Sequence, residues 1–184
     1  EWVNISGVAS PPSDAAYASV ELSRAANPGD EGFWDDIALA KEKPSFNVKR
    51  TSSNFTPSSS GDAIVFNTEI HDNGDNYNTS NGQFTVPEAG LYAFSSNLTF
   101  EGTSGARQVA VSVVASVAGV LASVYIGNKA NGTAEVNDVV ASLNVASADL
   151  AKGETVEIQI AYDAGSTAPV IQHTYSSFSG RKIS

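Results

Sequence analysis

Residues 82–94 read GQFTVPEAGLYAF, and the spacing of glycine, proline and aromatic residues in this stretch decides the architecture. Phe84 and Val86 project to one face of an extended segment while Gln83 and Thr85 project to the other, because strand side chains alternate with period two. Pro87 has no amide hydrogen for a ladder and Gly90 can take a positive φ, so PEAG predicts a corner between two strands. Beyond it the alternation resumes. Tyr92 and Phe94 share a face, Leu91 and Ala93 share the other, and Asn97-Leu98-Thr99-Phe100 continues the strand.

Outward from this unit the chain keeps producing short strands. Residues 51–62 are Ser, Thr, Pro and Gly around Phe55, a loop pinned by one ring. Ile64-Val65-Phe66-Asn67 predicts a strand, and residues 69–81 a polar loop. The uncharged run 109–127 has nearly the roughly 20 residues of a spanning helix. Its Val, Ser and Gly content and its alternation instead predict two strands joined near Ala118-Gly119. Residues 128–137 are turn-rich, 139–145 and 156–162 alternate as half-exposed strands do, 163–167 is a loop, and 170–183 supplies the closing strand. No amphipathic helix is legible. Regular short strands with turns between them mean an all-β sandwich.

The spacing Gly82-x-Phe84-x-x-Pro87-x-x-Gly90-x-Tyr92-x-Phe94 resembles the signature of the complement C1q globular head, within the C1q and tumour necrosis factor-like jelly rolls. Other pieces agree in order. Phe46-Asn47-Val48 resembles the first strand, Ile64-Val65-Phe66-Asn67 the strand ending in Phe-Asn, and Tyr77 the tyrosine that precedes Gly-x-Phe. Leu150-Ala151-Lys152-Gly153-Glu154-Thr155-Val156 resembles the turn written leucine, two residues, glycine-acid, valine, and Phe178-Ser179-Gly180 the closing strand. The resemblance covers roughly residues 44–184 and makes Phe84, Pro87, Gly90, Tyr92, Phe94, Phe178 and Gly180 the core signature. One departure falls after that last glycine, where Arg181-Lys182-Ile183 replaces the usual aromatic and aliphatic residues and leaves the final register open.

Residues 1–43 differ in character. Trp2-Val3-Asn4-Ile5-Ser6 and Ala18-Ser19-Val20-Glu21-Leu22 alternate like strands, separated by Pro11-Pro12. Phe33-Trp34-Asp35-Asp36-Ile37-Ala38-Leu39 resembles the closing strand of family-4/9-type carbohydrate-binding jelly rolls. Three such strands cannot stand alone in water. Residues 1–43 are therefore expected to be either the end of a sugar-binding-like module or a collar on the head. KEKPS at 41–45, with Pro44 restricting the residue before it, sets the boundary between 1–43 and 44–184.

Composition narrows the function. A chain of 184 residues holds one ordinary domain plus an appendage, and its 41% apolar content supports a real core. With no cysteine, neither disulfides nor thiolate metal sites exist. The absence of methionine from a chain that starts at Glu1 leads us to expect a processed or excised piece. A net charge of −10 argues against nucleic acid, whose affinity needs clustered Lys and Arg. No membrane insertion is expected.

Catalytic chemistry is poorly represented. His71 and His173 are the only histidines, and neither sits at a zinc-like interval from another ligand. No Gly-x-Ser-x-Gly elbow occurs. Asp35 and Asp36, being adjacent on a strand, point to opposite faces and do not meet the geometry of a glycosidase pair. The Asn-x-Ser/Thr matches at Asn4, Asn54, Asn78, Asn97 and Asn131 are of the kind chance produces in such a composition, and Asn97 lies within a strand. We read them as favouring a bacterial or viral source.

Two binding features remain. In EIHDNGDNYN, residues 69–78, Asp72, Asn73, Asp75 and Asn76 offer oxygens around Gly74, and Ca²⁺ takes six to eight such ligands. Some C1q-like heads hold Ca²⁺ in loops, but the EF-hand spacing is absent here, and the alternative is a turn whose side chains bond their own backbone. In residues 109–118 one face presents Val109, Val111, Val113, Ala115 and Val117, and the other Ala110, Ser112, Val114, Ser116 and Ala118. A strand uncharged on both faces needs two covers. Three protomers about an axis would supply the second, through Val109, Ala110, Val111, Ser112, Val113, Val114 and Ser116; a long loop over a central strand is the alternative. The expectation is a homotrimeric extracellular or virion-surface head, not an enzyme, that binds a cell-surface glycan or protein receptor as a phage tail-fibre tip or bacterial adhesin. The rival is a trimerisation cap with no ligand.

Overall fold

The computed structural model describes residues 43–101, 103–104, 109–126, 135–136, 139–162 and 168–184. The readings of residues 1–42 and of the loop 163–167 therefore lie outside the described residues. All described regular structure is β. The strands are β1 (Ser45–Lys49), β2 (Asp62–Ala63), β3 (Thr68–Asp72), β4 (Tyr77–Asn78), β5 (Gln83–Thr85), β6 (Gly90–Glu101), β7 (Thr103–Ser104), β8 (Val109–Ala115), β9 (Gly119–Ile126), β10 (Glu135–Val136), β11 (Val139–Leu150), β12 (Thr155–Tyr162), β13 (Val170–Ile171) and β14 (Ser177–Lys182).

They form two six-stranded sheets. One runs β11-β6-β14-β1-β3 with β13 added beside β6; the other runs β4-β5-β12-β8-β9 with β2 beside β12. β7 and β10 pair separately. All pairings are antiparallel, and the two sheets enclose one core, as in a jelly-roll sandwich. The corner at residues 87–89 carries the chain from β5 in one sheet to β6 in the other, as the Pro-x-x-Gly spacing predicts.

Alternation places the core residues. Phe46 and Val48 of β1, Tyr92, Phe94, Leu98 and Phe100 of β6, and Phe178 of β14 face inward from one sheet. Phe84, Val111, Val113, Val156, Ile158 and Ile160 face them from the other, each fully buried. Phe46 stacks on Phe84 at 4.6 Å and meets the edge of Phe178 at 5.0 Å. Such aromatic pairs add to the apolar area they remove from water.

Gly180 lies against these rings. A Cβ there would come within 2.5 Å of Phe46 and 2.6 Å of Phe94, so glycine is required for close approach rather than for a turn. Gly90 combines φ +147° with Ser184 O only 2.4 Å from where a Cβ would stand. The final register is fixed by pairing on both sides: Arg181 opposes Ala93 and Ser45, and Lys182 opposes Tyr92. Lys182 Nζ then reaches Glu88 at 3.0 Å, so the unusual basic ending ties the last strand to the corner.

Three expectations are corrected. Ile64-Val65-Phe66-Asn67 buries Ile64 and Phe66, yet only Asp62–Ala63 joins a ladder, because Ile64 N bonds Ile158 O once and the chain then leaves the sheet. The polar loop 69–81 contains most of strand β3, which pairs with β1, and the short β4, which forms a hairpin with β5. The closing segment is two strands, β13 and β14, with Ser176 between them. Ser176 is buried, accepting from Thr99 N and donating to Gln172 O.

Candidate functional site

Because β8 lies between β12 and β9, its two faces have different fates. Val109, Val111, Val113 and Ala115 are at most 2% exposed and fill the protomer's own core. This corrects their place in a subunit interface: Val109, Val111 and Val113 are already covered by the opposite sheet. Ala110, Ser112 and Val114 point outward and are half-buried, and Ser116 is exposed in the turn that follows. On the same outer face Ser112 and Ser123 share a hydrogen bond at 2.6 Å, and Ala110 stands beside Tyr125. Tyr125 and Val120 on β9 and Val140 on β11 are 68%, 63% and 62% exposed. The sequence reading passed over these edge-strand residues; their signal was apolar side chains at the outward positions of alternating strands.

The β8–β9 turn is held from below by Glu154. This carboxylate is 5% exposed and accepts from Val117 N at 3.0 Å, Ala118 N at 2.7 Å and Ala151 N at 3.1 Å. Burial works to raise its pKa, but the backbone N–H groups outweigh burial and hold the carboxyl below its usual range. The β11–β12 turn that carries Glu154 also meets the corner, since Val86 N donates to Glu154 O and Gly153 N to Val86 O, both at 2.8 Å. The Pro-x-x-Gly and glycine-acid motifs thus touch through main-chain bonds.

The loop after β3 curls as its composition suggests. Gly74 has φ +101° and Asp75 φ +51°, the left-handed region that glycine and aspartate tolerate. Asp72 Oδ2 accepts from Tyr77 N at 2.7 Å, Asn76 Nδ2 donates to Asn73 O at 3.0 Å, and Asn73 Nδ2 donates to Lys43 O at 3.3 Å. Asp72 Oδ1 is buried without a hydrogen-bond partner, and burial raises that carboxyl's pKa. One oxygen of Asp72 and the amide nitrogens of Asn73 and Asn76 are thus engaged in closing the turn, which is the alternative to a cation site. Calorimetry with Ca²⁺ is expected to give the same heat for the wild type and an Asp72→Ala/Asp75→Ala double variant. A heat lost in the variant would put a cation in this loop after all.

The histidines have ordinary surroundings. His71 Nε2 lies 3.0 Å from Ser45 Oγ, and the main-chain N of His173 donates to Asn54 Oδ1 at 3.1 Å. Neither belongs to a group of three potential metal ligands among the described residues.

Comparison with known proteins decides the family. The profile described as C1q domain matches residues 45–181. The chain belongs to the C1q domain family. Solved structures agree on the fold. The globular domain of zebrafish complement 1qA is 23% identical and superposes with a TM-score of 0.55, covering 77% of this chain and 98% of that one. Murine APRIL is 10% identical, with a TM-score of 0.56 over 77% of this chain and 100% of its own. The Eiger TNF of S. frugiperda is 11% identical, with a TM-score of 0.56 over 78% and 94%. No curated protein sequence matches the chain. C1q and TNF-like domains typically trimerise and bind receptors, are typically non-enzymatic, and are generally secreted or extracellular. Among the described residues no helix is long and apolar enough to cross a membrane.

Proposed function

We propose that this C1q domain is the homotrimeric recognition head of an extracellular fibre, such as a phage tail-fibre tip or a bacterial adhesin, and that it engages a cell-surface glycan or protein receptor. The observation that carries trimerisation is the outward apolar patch of Val114, Val120 and Tyr125, continued across the sandwich edge by Val140. A threefold ring joins two different surfaces on each copy. The outer face of the β6-containing sheet offers a polar acceptor in Ser95, Asn97, Ser142 and Asn144, with Arg181 beside Ala93 at its edge, pre-ordered by Ser95 Oγ to Asn144 Oδ1 and Ser142 Oγ to Asn97 Oδ1 bonds of 2.9 and 2.7 Å.

The strands give the described unit two distinct ends. It is entered at Lys43, and residues 182–184 return to the same end: Lys182 N bonds Pro44 O, and Leu91 N bonds Ser184 O. The loop after β3 stands at that end too, since Asn73 N bonds Ser45 O. The opposite end carries the loops after β1 and around residues 172–176, where Tyr175 is 70% exposed.

Light scattering of the 184-residue chain is expected to give a trimer mass, and the chain is expected to bind host cells or immobilised glycans. Val114→Asp, on the outer face, leaves the core intact but would bury an unpaired carboxylate in every subunit, costing several kcal/mol each. The variant is expected to be a folded monomer. Wild-type chain that scatters as a clean monomer at micromolar concentration would defeat the trimer, and a trimer that binds no cell and no glycan would favour the structural cap instead.

A further inference from the structure

The Asn-rich segment between β3 and β5 frames an open depression of about 510 Å³ lined by Asp75, Asn76, Tyr77, Asn78, Thr79 and Thr85. We infer that this depression binds a neutral saccharide, an inference that rests on the recognition reading and gives it a ligand class and a site.

Its walls are built rather than incidental. Asn76 spends its amide nitrogen on Asn73 O, and Asn78 spends its side-chain oxygen on Ser80 N at 2.8 Å. Each amide is thereby oriented, presenting the carbonyl oxygen of Asn76 and the NH₂ of Asn78. Main-chain bonds fix the frame: Thr85 N donates to Asn76 O at 2.7 Å and Gly82 N to Asn78 O at 2.9 Å. The left-handed turn at Gly74 and Asp75 brings the Asp75 carboxylate to the rim. The lining therefore offers an amide donor, an amide acceptor, two hydroxyls and a carboxylate, with both amides held by their own hydrogen bonds.

That mixture selects the ligand. Vicinal sugar hydroxyls both donate and accept, and they suit a wall that alternates donors, acceptors and hydroxyls. The absence of Lys and Arg from the lining, with Asp75 present in a chain of net charge −10, disfavours phosphate, sialic acid or uronate. An apolar peptide has nothing to hold, since Tyr77, the one aromatic in the lining, is 5% exposed.

The site also has room to continue. Asn78 is the register partner of Gln83 on β5. Gln83 Nε2 donates to Glu157 Oε2 at 2.8 Å, Gln159 Nε2 donates to Glu157 Oε1 at 2.7 Å, and Asn81 Nδ2 donates to Gln83 Oε1 at 3.1 Å. This file of ordered polar side chains extends the depression across the sheet, as a second sugar residue would require.

The test uses the 184-residue chain on an array of neutral tri- and tetrasaccharides ending in hexose or N-acetylhexosamine, with sialylated counterparts, followed by calorimetry with the best neutral probe. Asn78→Asp keeps the oxygen that accepts from Ser80 N but removes the donor. Thr85→Val keeps the strand-compatible shape but removes the hydroxyl. Each is expected to weaken Kd roughly tenfold while leaving Tm and trimer mass unchanged. Affinity unmoved by both variants overturns the site, and so does a preference for the sialylated probes. If the chain binds host cells but none of the neutral saccharides, this inference fails and the recognition reading stands; if it binds neither, both fail.

Discussion

Glu154→Ala is expected to melt well below the wild type, by roughly 10 °C in Tm. The substitution strips partners from Val117 N, Ala118 N and Ala151 N while leaving the main-chain bonds of Gly153 and Glu154 to Val86 in place. A buried donor without a partner costs about 1–3 kcal/mol, and partial access to water for the loosened turn brings the sum to about 3 kcal/mol. Glu154→Gln should fall between the two, since an amide oxygen still accepts but an NH₂ then faces a main-chain N–H. The pH dependence has a definite sign. Because the folded-state pKa is held below the unfolded value, the stabilisation is fully present above that unfolded value, near 4.3, and is lost as pH falls through the folded one. The Tm gap between wild type and Glu154→Gln should therefore narrow below about pH 4. Thermal scans from pH 7 to pH 3 check both points, and a constant gap would show that the carboxylate's charge is not what closes these turns.

Gly180→Ala is the second large effect. Its methyl would need to occupy space within 2.5–2.7 Å of the Phe46 and Phe94 rings, themselves 2% and 3% exposed and packed against Phe84, Tyr92 and Phe178. Overpacking of this kind costs about 1–3 kcal/mol. Shortening the obstructing ring should recover part of it, so Phe46→Leu combined with Gly180→Ala is expected to be less destabilised than the sum of the singles. Denaturant melts of the four proteins give the coupling directly. Additive losses, or an alanine variant as stable as the wild type, would mean that the ring cluster is loose enough to accept a side chain.

These two residues also mark what a linear reading can reach. Phe84 and Phe94 were legible because alternation assigns a face without knowledge of the partner strand, and Gly180 through the resemblance of Phe178-Ser179-Gly180 to the closing strand of the family. The corner was legible because proline and glycine act locally. Glu154 was visible as the acid after a glycine, but its role depends on turns lying 36 and 37 residues away as well as on Ala151, and spacing carries no such information. The segment 69–81 looked like a loop because β3 and β4 are edge strands with few apolar residues, and their partners, β1 and β5, supply the ladder bonds. Within β8 the sequence correctly separated two uncharged faces, but the opposite sheet had to be in place before one of them could be assigned to the core. The candidate sugar site was legible only as an excess of Asn, since a depression is made by how loops stand beside one another.

The attachment of β1 has a mechanical consequence. β1 is an interior strand, antiparallel to β14 on one side and β3 on the other, and residue 43 leads directly into it. When the far end is anchored to a surface and tension arrives through residue 43, the pull runs along the strand axis. The bonds on both flanks of β1 then share the load in shear, instead of opening one at a time like a zipper. A domain held in this way yields to such a pull through cooperative rupture of two ladders, and its lifetime under load is set by that rupture rather than by its equilibrium stability.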